Sequence, residues 1–449
     1  MTAIALCVVS FALCYWMARR SLVQGLCATL SVGYVYGLVR ANLPGGLSHL
    51  IFDCAVLGLY AAQLRLAQPH WQRLRSRELT TWVVVLVGWP ALLFFVPRQD
   101  MLIQLVGLRG TVFLLPFLLL GARLTSEDLY KLGLWFSVLN LVAGAIAITE
   151  FFVGVDRFFP RNAVTEVIYR SKDLANYTAY RIPATFGSAH AYAGTMVMTI
   201  VVIAGAWAQR HFGRWQGRLM AAAVVISTVG IFMSATRQHA LLLFVLIISA
   251  LFVIRVPGGQ RVRWIVVALI VGYIVAGDPR LQRFRTLEDP EFLSERLAGS
   301  VNLDFLQLVN EYPLGNGLGG GGTSVPYFLQ DRVHNLVVME NEYARILLEL
   351  GVPGLVMWVL FIAWVFTRPH VRRTDMFYLA RRLAWIACAA SFAFGFIGVG
   401  LFTSIPQTAI VFMLLGWIAV PEVRRAPAPN VAITATARLA AVPAYARPV

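Results

Sequence analysis

Between residues 334 and 354 the chain reads HNLVVMENEYARILLELGVPG. Six polar side chains gather at the start of this stretch: His334, Asn335, Glu340, Asn341, Glu342 and Arg345. Imidazoles and carboxylates are the groups that take a proton from an attacking hydroxyl, so His334, Glu340 and Glu342 are the candidates for proton abstraction here. Asn341, Arg345 and Glu349 recur at i, i+4 and i+8 and share one face of a helix. Two readings of the cluster stand side by side: a salt-linked cap on a membrane helix, and a reaction site.

Arginine supplies the second chemistry. Arg157, Arg161, Arg170, Lys172, Arg181, Arg237, Arg280, Arg283, Arg285, Arg296 and Arg332 fall in segments assigned below to the outer face. A guanidinium is planar, permanently charged and matched to phosphate oxygens, so the group points to an anionic ligand at that face. Arg237 occupies the tight turn SATRQH at 234–239, where it either grips such a ligand or snorkels to the headgroups. Arg109 sits mid-span in LVGLRGTVF and must pair or face the bundle interior, in a structural or a substrate role. The glycine run PLGNGLGGGG at 313–322 offers backbone N–H groups for an anion-binding nest, or else serves as a flexible connector.

The elements that position these groups are membrane helices. The 449 residues are 59% hydrophobic and 13% charged, with mean hydropathy +0.70, far from the roughly 25% charge of soluble domains. Apolar runs near the ~20 residues of a membrane crossing recur along the chain, and open strands cannot face lipid. The expected fold is an all-α polytopic membrane protein with about 12–13 transmembrane helices. Spans fall near 2–18, 21–39, 47–64, 81–97, 101–122, 130–153, 189–208, 218–234, 239–254, 264–277, 343–367, 380–398 and 401–420. The first run lacks a basic leader and a cleavage site, and reads as a retained helix. The five cysteines lie inside apolar spans without metal-ligand spacing, which implies packing.

Short basic loops set the orientation. Those containing Arg65, Arg73, Arg75 and Arg77; Arg210, Arg214 and Arg218; Arg255, Arg261 and Arg263; and Arg368, Arg372, Arg373, Arg381 and Arg382 are placed inside. The organisation is then N-terminal membrane helices at 1–153, a first outer loop at 154–188, central helices at 189–277, a large outer segment at 278–342, C-terminal helices at 343–420 and a disordered inner tail at 421–449. Leu293, Leu297, Val301, Phe305, Leu308 and Tyr312 form a helical apolar stripe in the large segment, with Asp289 and Pro290 at its start and Pro313 as its stop. Gly351 and Gly354 are expected to let the following helix pack closely.

The order RIPATFGSAHAYAG (181–194), MSATRQHALL (233–242), YPLGNGLGGG (312–321) and ENEYARILLELGVPG (340–354) resembles the O-antigen ligase/polymerase superfamily. These are bacterial inner-membrane glycosyltransferases of GT-C-type architecture, and the resemblance covers about half of the chain. It implies a multi-pass inner-membrane protein whose site faces the periplasm. The implied donor is a glycan on undecaprenyl pyrophosphate, and the acceptor a glycan or lipid A-core hydroxyl. It implies no metal, no cofactor and no nucleotide sugar, and no nucleic-acid partner is expected. Arg181 and Arg237 match the family's pyrophosphate-gripping arginines, and Arg285 or Arg296 matches the arginine near the start of the large loop. The family's His-Asn pair normally stands where Glu340-Asn341 stands here, and His334-Asn335 lies six residues earlier. His334, Glu340 and Glu342 therefore stay open as the base, with Asn341 and Arg345 in support.

The expected reaction is a single displacement, with guanidinium groups holding the leaving-group charge. The outcome is O-antigen or exopolysaccharide polymerisation, or O-antigen ligation. The rival from another class is a lipid-linked oligosaccharide or polysaccharide flippase, which calls for broken or charged helices at the midplane of both halves.

Overall fold

A computed structural model describes residues 1–43, 45–64, 76–170, 180–209, 214–253, 290–291, 294, 304–322, 324–337, 339, 341–368, 378–396, 398 and 400–420. Among the described residues the chain is helical and contains no β-sheet, the solution open to backbone that must satisfy its own hydrogen bonds in lipid. Seven stretches are long and apolar enough to cross a membrane. The protein is an all-α, multi-pass membrane protein.

Helices α1 (Thr2–Arg20) and α2 (Leu22–Asn42) are divided by Ser21, whose hydroxyl accepts the Gln24 N–H and caps α2. After a 3-10 turn at Gly46–Leu50, α3 (Ile51–Leu64) packs along α1; a Cβ on Gly58 would lie 2.3 Å from the Phe11 carbonyl. Next come α4 (Arg77–Leu93), α5 (Met101–Val112) and α6 (Pro116–Ala122). A capping box between Thr125 and Asp128 opens α7 (Ser126–Val153). The chain continues through α8 (Glu166–Arg170), α9 (Ala189–Gln209), α10 (Arg214–Met233) and α11 (Arg237–Val253). The last described helices are α12 (Asp304–Glu311), α13 (Glu342–Thr367), α14 (Tyr378–Phe394) and α15 (Gln407–Ala419). The expected span at 264–277, most of the large segment and the tail at 421–449 lie outside the described residues.

One end of the bundle gathers the polar segments. Asn42 donates to the Phe158 carbonyl at 2.9 Å, and Asn162 to that of Ala41 at 2.9 Å, which ties the 154–170 loop to the end of α2. Arg332 pairs with Asp100 at 2.5 Å ahead of α5, and the Gly400 N–H donates to Glu342 at 2.8 Å. At the start of α4 and the end of α13, Arg368 pairs with Glu78 at 2.5 Å. Inside the bundle, Asn140 of α7 accepts from the Tyr34 hydroxyl at 2.7 Å. It donates to Thr199 at 2.9 Å and Ser227 at 2.8 Å, joining α2, α7, α9 and α10. Such interhelical bonds substitute for the hydrophobic drive that lipid removes.

Three expectations change in this frame. Gly351 is not a small residue in a continuous helix; it breaks α13, with φ 71° and ψ −176°. The break receives residues 313–316: the Val352 N–H donates to the Pro313 carbonyl at 2.9 Å, and the Asn316 N–H to that of Leu348 at 2.6 Å. The glycine run is likewise not a loose connector. It is buried from Gly315 to Gly322, and a Cβ on Gly107 of α5 would sit 2.3 Å from the Gly319 nitrogen. Arg381, counted with a basic loop, is wholly buried in α14, its guanidinium 4.3 Å from the Trp417 ring centroid.

Candidate functional site

The first turns of α13 hold most of the carboxylates of the polar cluster. Asn341 caps the helix by accepting the N–H groups of Tyr343 at 2.8 Å and Ala344 at 3.2 Å. One turn on, the Arg345 guanidinium binds Glu342 at 2.5 and 2.8 Å and Glu349 at 3.0 Å. All three side chains are buried, at 4% exposure or less. The other Glu342 oxygen accepts the Gly400 N–H, while Glu349 faces the Ser324 hydroxyl at 3.4 Å and the Gly321 N–H. Burying charges is tolerable when they are paired and each carboxylate oxygen has a donor, as here. The salt-linked arrangement thus ties α13 to the glycine run and to the segment before α15. Glu342 lies inside this network, and its carboxylate is committed to protein donors.

His334 is placed differently. Its side chain is exposed, while Gln99 holds its backbone on both sides: the His334 N–H donates to Gln99 Oε1 at 2.8 Å, and Gln99 Nε2 donates to the His334 carbonyl at 2.9 Å. Asn335 adopts φ 51°, and its carbonyl accepts from Asn316 at 3.0 Å. The polypeptide is pinned and the imidazole is left to solvent. Nearby, the Leu102 N–H holds the Asp100 carboxyl below its ordinary value, with help from the Arg332 guanidinium. Glu340, Arg285 and Arg296 lie outside the described residues.

Arg181 opens the segment that leads into α9. It is 7% exposed, with Nη1 3.3 Å from His190 Nε2, and its buried Nε has no hydrogen-bond partner among the described residues. The His190 ring lies 5.9 Å from that of His239, which is buried in the first turn of α11 two residues after Arg237. The segments that carry Arg181 and Arg237, expected to share a ligand, thereby approach each other at these two imidazoles. The 234–239 turn is as tight as its sequence suggests, with Ala235 at φ 50° and the Ser234 hydroxyl 2.9 Å from that of Thr236. A brace sits behind Arg181: Glu150 of α7, 1% exposed, accepts the Ala184 N–H at 2.9 Å, where Ala184 has φ 51°.

Arg40, at the end of α2, was not singled out in the sequence. Its Nη2 lies 3.1 Å from where a Cβ on Gly187 would be, and its buried Nε has no described partner. The signal was present: an arginine at the end of a helix predicted to emerge on the outer face, against the charge bias of short loops. His190 and His239 lay within SAHAYAG and TRQHALL and likewise went unremarked. A buried N–H without an acceptor costs about 1–3 kcal/mol, which anion oxygens would remove. Arg109, by contrast, is paired: Asp53 accepts from its Nε at 2.5 Å and its Nη2 at 2.6 Å. Its guanidinium serves the fold.

The segment between α7 and α9 adds an aromatic group. The Tyr169 hydroxyl donates to the Phe159 carbonyl, and its ring meets that of Tyr180. Burial pushes the Tyr169 phenol upward, against the lowering pull of Arg161, so it is neutral at physiological pH. Compared with protein-family models and with curated proteins, the chain matches none.

Proposed function

We propose that the protein is a membrane glycosyltransferase of the inner membrane with its site at the periplasmic face. It moves a glycan from undecaprenyl pyrophosphate to a sugar hydroxyl, as an O-antigen or exopolysaccharide polymerase or an O-antigen ligase. One observation carries the reading: among the described residues the Nε–H groups of Arg181 and Arg40 are buried without a hydrogen-bond partner, and they come from two segments that meet where the Arg40 guanidinium lies against Gly187. Diphosphate is multiply charged and rich in acceptors, the complement of those donors.

In this reading Arg181, Arg237 and Arg40 stabilise charge on the departing pyrophosphate. His334 takes the proton as the acceptor oxygen bonds to the anomeric carbon and the bond to undecaprenyl pyrophosphate breaks. Glu342 and Arg345 hold the wall of the site. The test is glycan transfer by purified protein in liposomes supplied with lipid-linked glycan and acceptor. Arg181→Ala and Arg237→Ala are each expected to lose about 100-fold or more, as when one donor to a developing oxyanion is removed. Wild-type rates in both would end the proposal. Glycan that crosses the bilayer with its lipid linkage intact would instead support a transporter.

A further inference from the structure

The aromatic group between α7 and α9 takes no part in the scheme above. Its frame is rigid. The Asn162 side-chain Oδ1 accepts the N–H groups of Val164 at 2.9 Å and Thr165 at 3.1 Å, and the Thr165 hydroxyl donates to the Pro160 carbonyl at 2.7 Å. The rings of Tyr169 and Tyr180 stand nearly perpendicular, at 85° with centroids 5.0 Å apart. Arg161 closes the corner: its guanidinium carbon is 4.9 Å from the Tyr169 centroid and 5.8 Å from that of Tyr180, and its Nη2 donates to the Tyr180 hydroxyl at 2.9 Å. Both rings are half-buried and Arg161 is exposed.

This is an L-shaped corner with apolar ring faces on two sides and spare guanidinium donors at the edge. Arg161 faces the rings, and Arg170 on the short helix is already paired with Glu166 at 3.0 Å, so the corner is a poor match for a polyanion. A pyranose fits better: its axial C–H groups lie against the electron-rich ring face, and its hydroxyls take N–H donors. Position strengthens the match. Tyr180 directly precedes Arg181, so their Cα atoms are about 3.8 Å apart. A sugar joined to a diphosphate held at Arg181 thus starts beside the backbone that carries the Tyr180 ring.

We propose that Tyr169, Tyr180 and Arg161 form a sugar subsite that receives the first residue of the donor glycan, the one bonded to the diphosphate. The proposal rests on the glycosyltransferase reading. It assigns the corner a role in recognising the donor and none in bond-making.

The experiment compares two probes on full-length protein in nanodiscs: undecaprenyl pyrophosphate, and the same lipid carrying one N-acetylglucosamine. Wild type is expected to bind the sugar-bearing lipid about 5- to 10-fold more tightly, as one ring contact allows. Tyr180→Ala should erase that preference while leaving the bare lipid's affinity unchanged. Tyr180→Phe, which keeps the ring and drops the hydroxyl, should retain most of it. Equal weakening of both lipids by Tyr180→Ala would overturn the subsite, because the residue would then only support Arg181. So would an unchanged preference, as expected of a tyrosine that merely anchors the loop at the membrane interface. Failure of wild type to bind either lipid would sink the glycosyltransferase reading itself, and the subsite with it.

Discussion

At the scale of single residues, exposure separates groups of similar chemistry. His334 faces solvent on a pinned backbone, whereas Glu342 is 1% exposed and bound to Arg345 and Gly400. His334→Ala should fold normally and transfer glycan about 10²- to 10⁴-fold more slowly, the usual range for a lost general base. Glu342→Gln should keep most of the transfer rate, since Arg345 still has Glu349. If Glu342→Gln instead abolished turnover in a protein that still folds, the base would have to be reassigned. Arg345→Ala leaves two buried carboxylates without their cation and should cost about 3–5 kcal/mol. Thermal unfolding in detergent measures it.

At the scale of elements, function depends on where helices stop. The break at Gly351 makes room for residues 313–316; a Cβ there would lie 2.6 Å from the Leu314 carbonyl carbon, on a backbone with φ 71°. Gly351→Ala should destabilise the protein by at least about 1–2 kcal/mol from the left-handed backbone alone. A melting temperature equal to wild type would contradict the break. The Glu150 brace predicts a different pattern. Glu150→Gln retains an acceptor for the Ala184 N–H, and its KM for donor should stay near wild type. Glu150→Ala strips a buried N–H of its partner, at about 1–3 kcal/mol, and loosens the segment carrying Arg181. Its KM for donor should rise more than its kcat falls, which steady-state kinetics distinguishes.

At the scale of the whole molecule, the polar end is stitched from segments remote in sequence. Asp100 and Arg332 clip the start of α5 to the 324–337 segment, and the Asp100 carboxyl is held below its ordinary 3.8 in the folded chain. A depressed carboxylate adds stability that is present above the unfolded value and fades as pH falls through the folded one. The clip should therefore be intact above pH 3.8 and open progressively below it. Asp100→Asn should lose this acid dependence and resemble acidified wild type at neutral pH. Limited proteolysis of the 324–337 region across a pH series checks it; identical profiles for variant and wild type would rule out the clip.

Much of this molecule was legible residue by residue. Helix positions follow from local hydropathy against a solvent that cannot hydrogen-bond. The 234–239 turn and the stop at Pro313 are likewise local, since backbone geometry in a turn answers to its own few residues. The i, i+4 pairing of Arg345 with Glu349 was legible for the same reason, because both lie on one helix face. What the sequence left open was the fate of each charge. Arg109 finds Asp53 across 56 residues, and Arg40 meets the Gly187 segment from another helix. Spacing along one helix does not specify contacts between distant segments. Tertiary packing alone decided that Arg109 is neutralised by a carboxylate, while the Arg181 and Arg40 Nε–H groups are buried with no acceptor among the described residues.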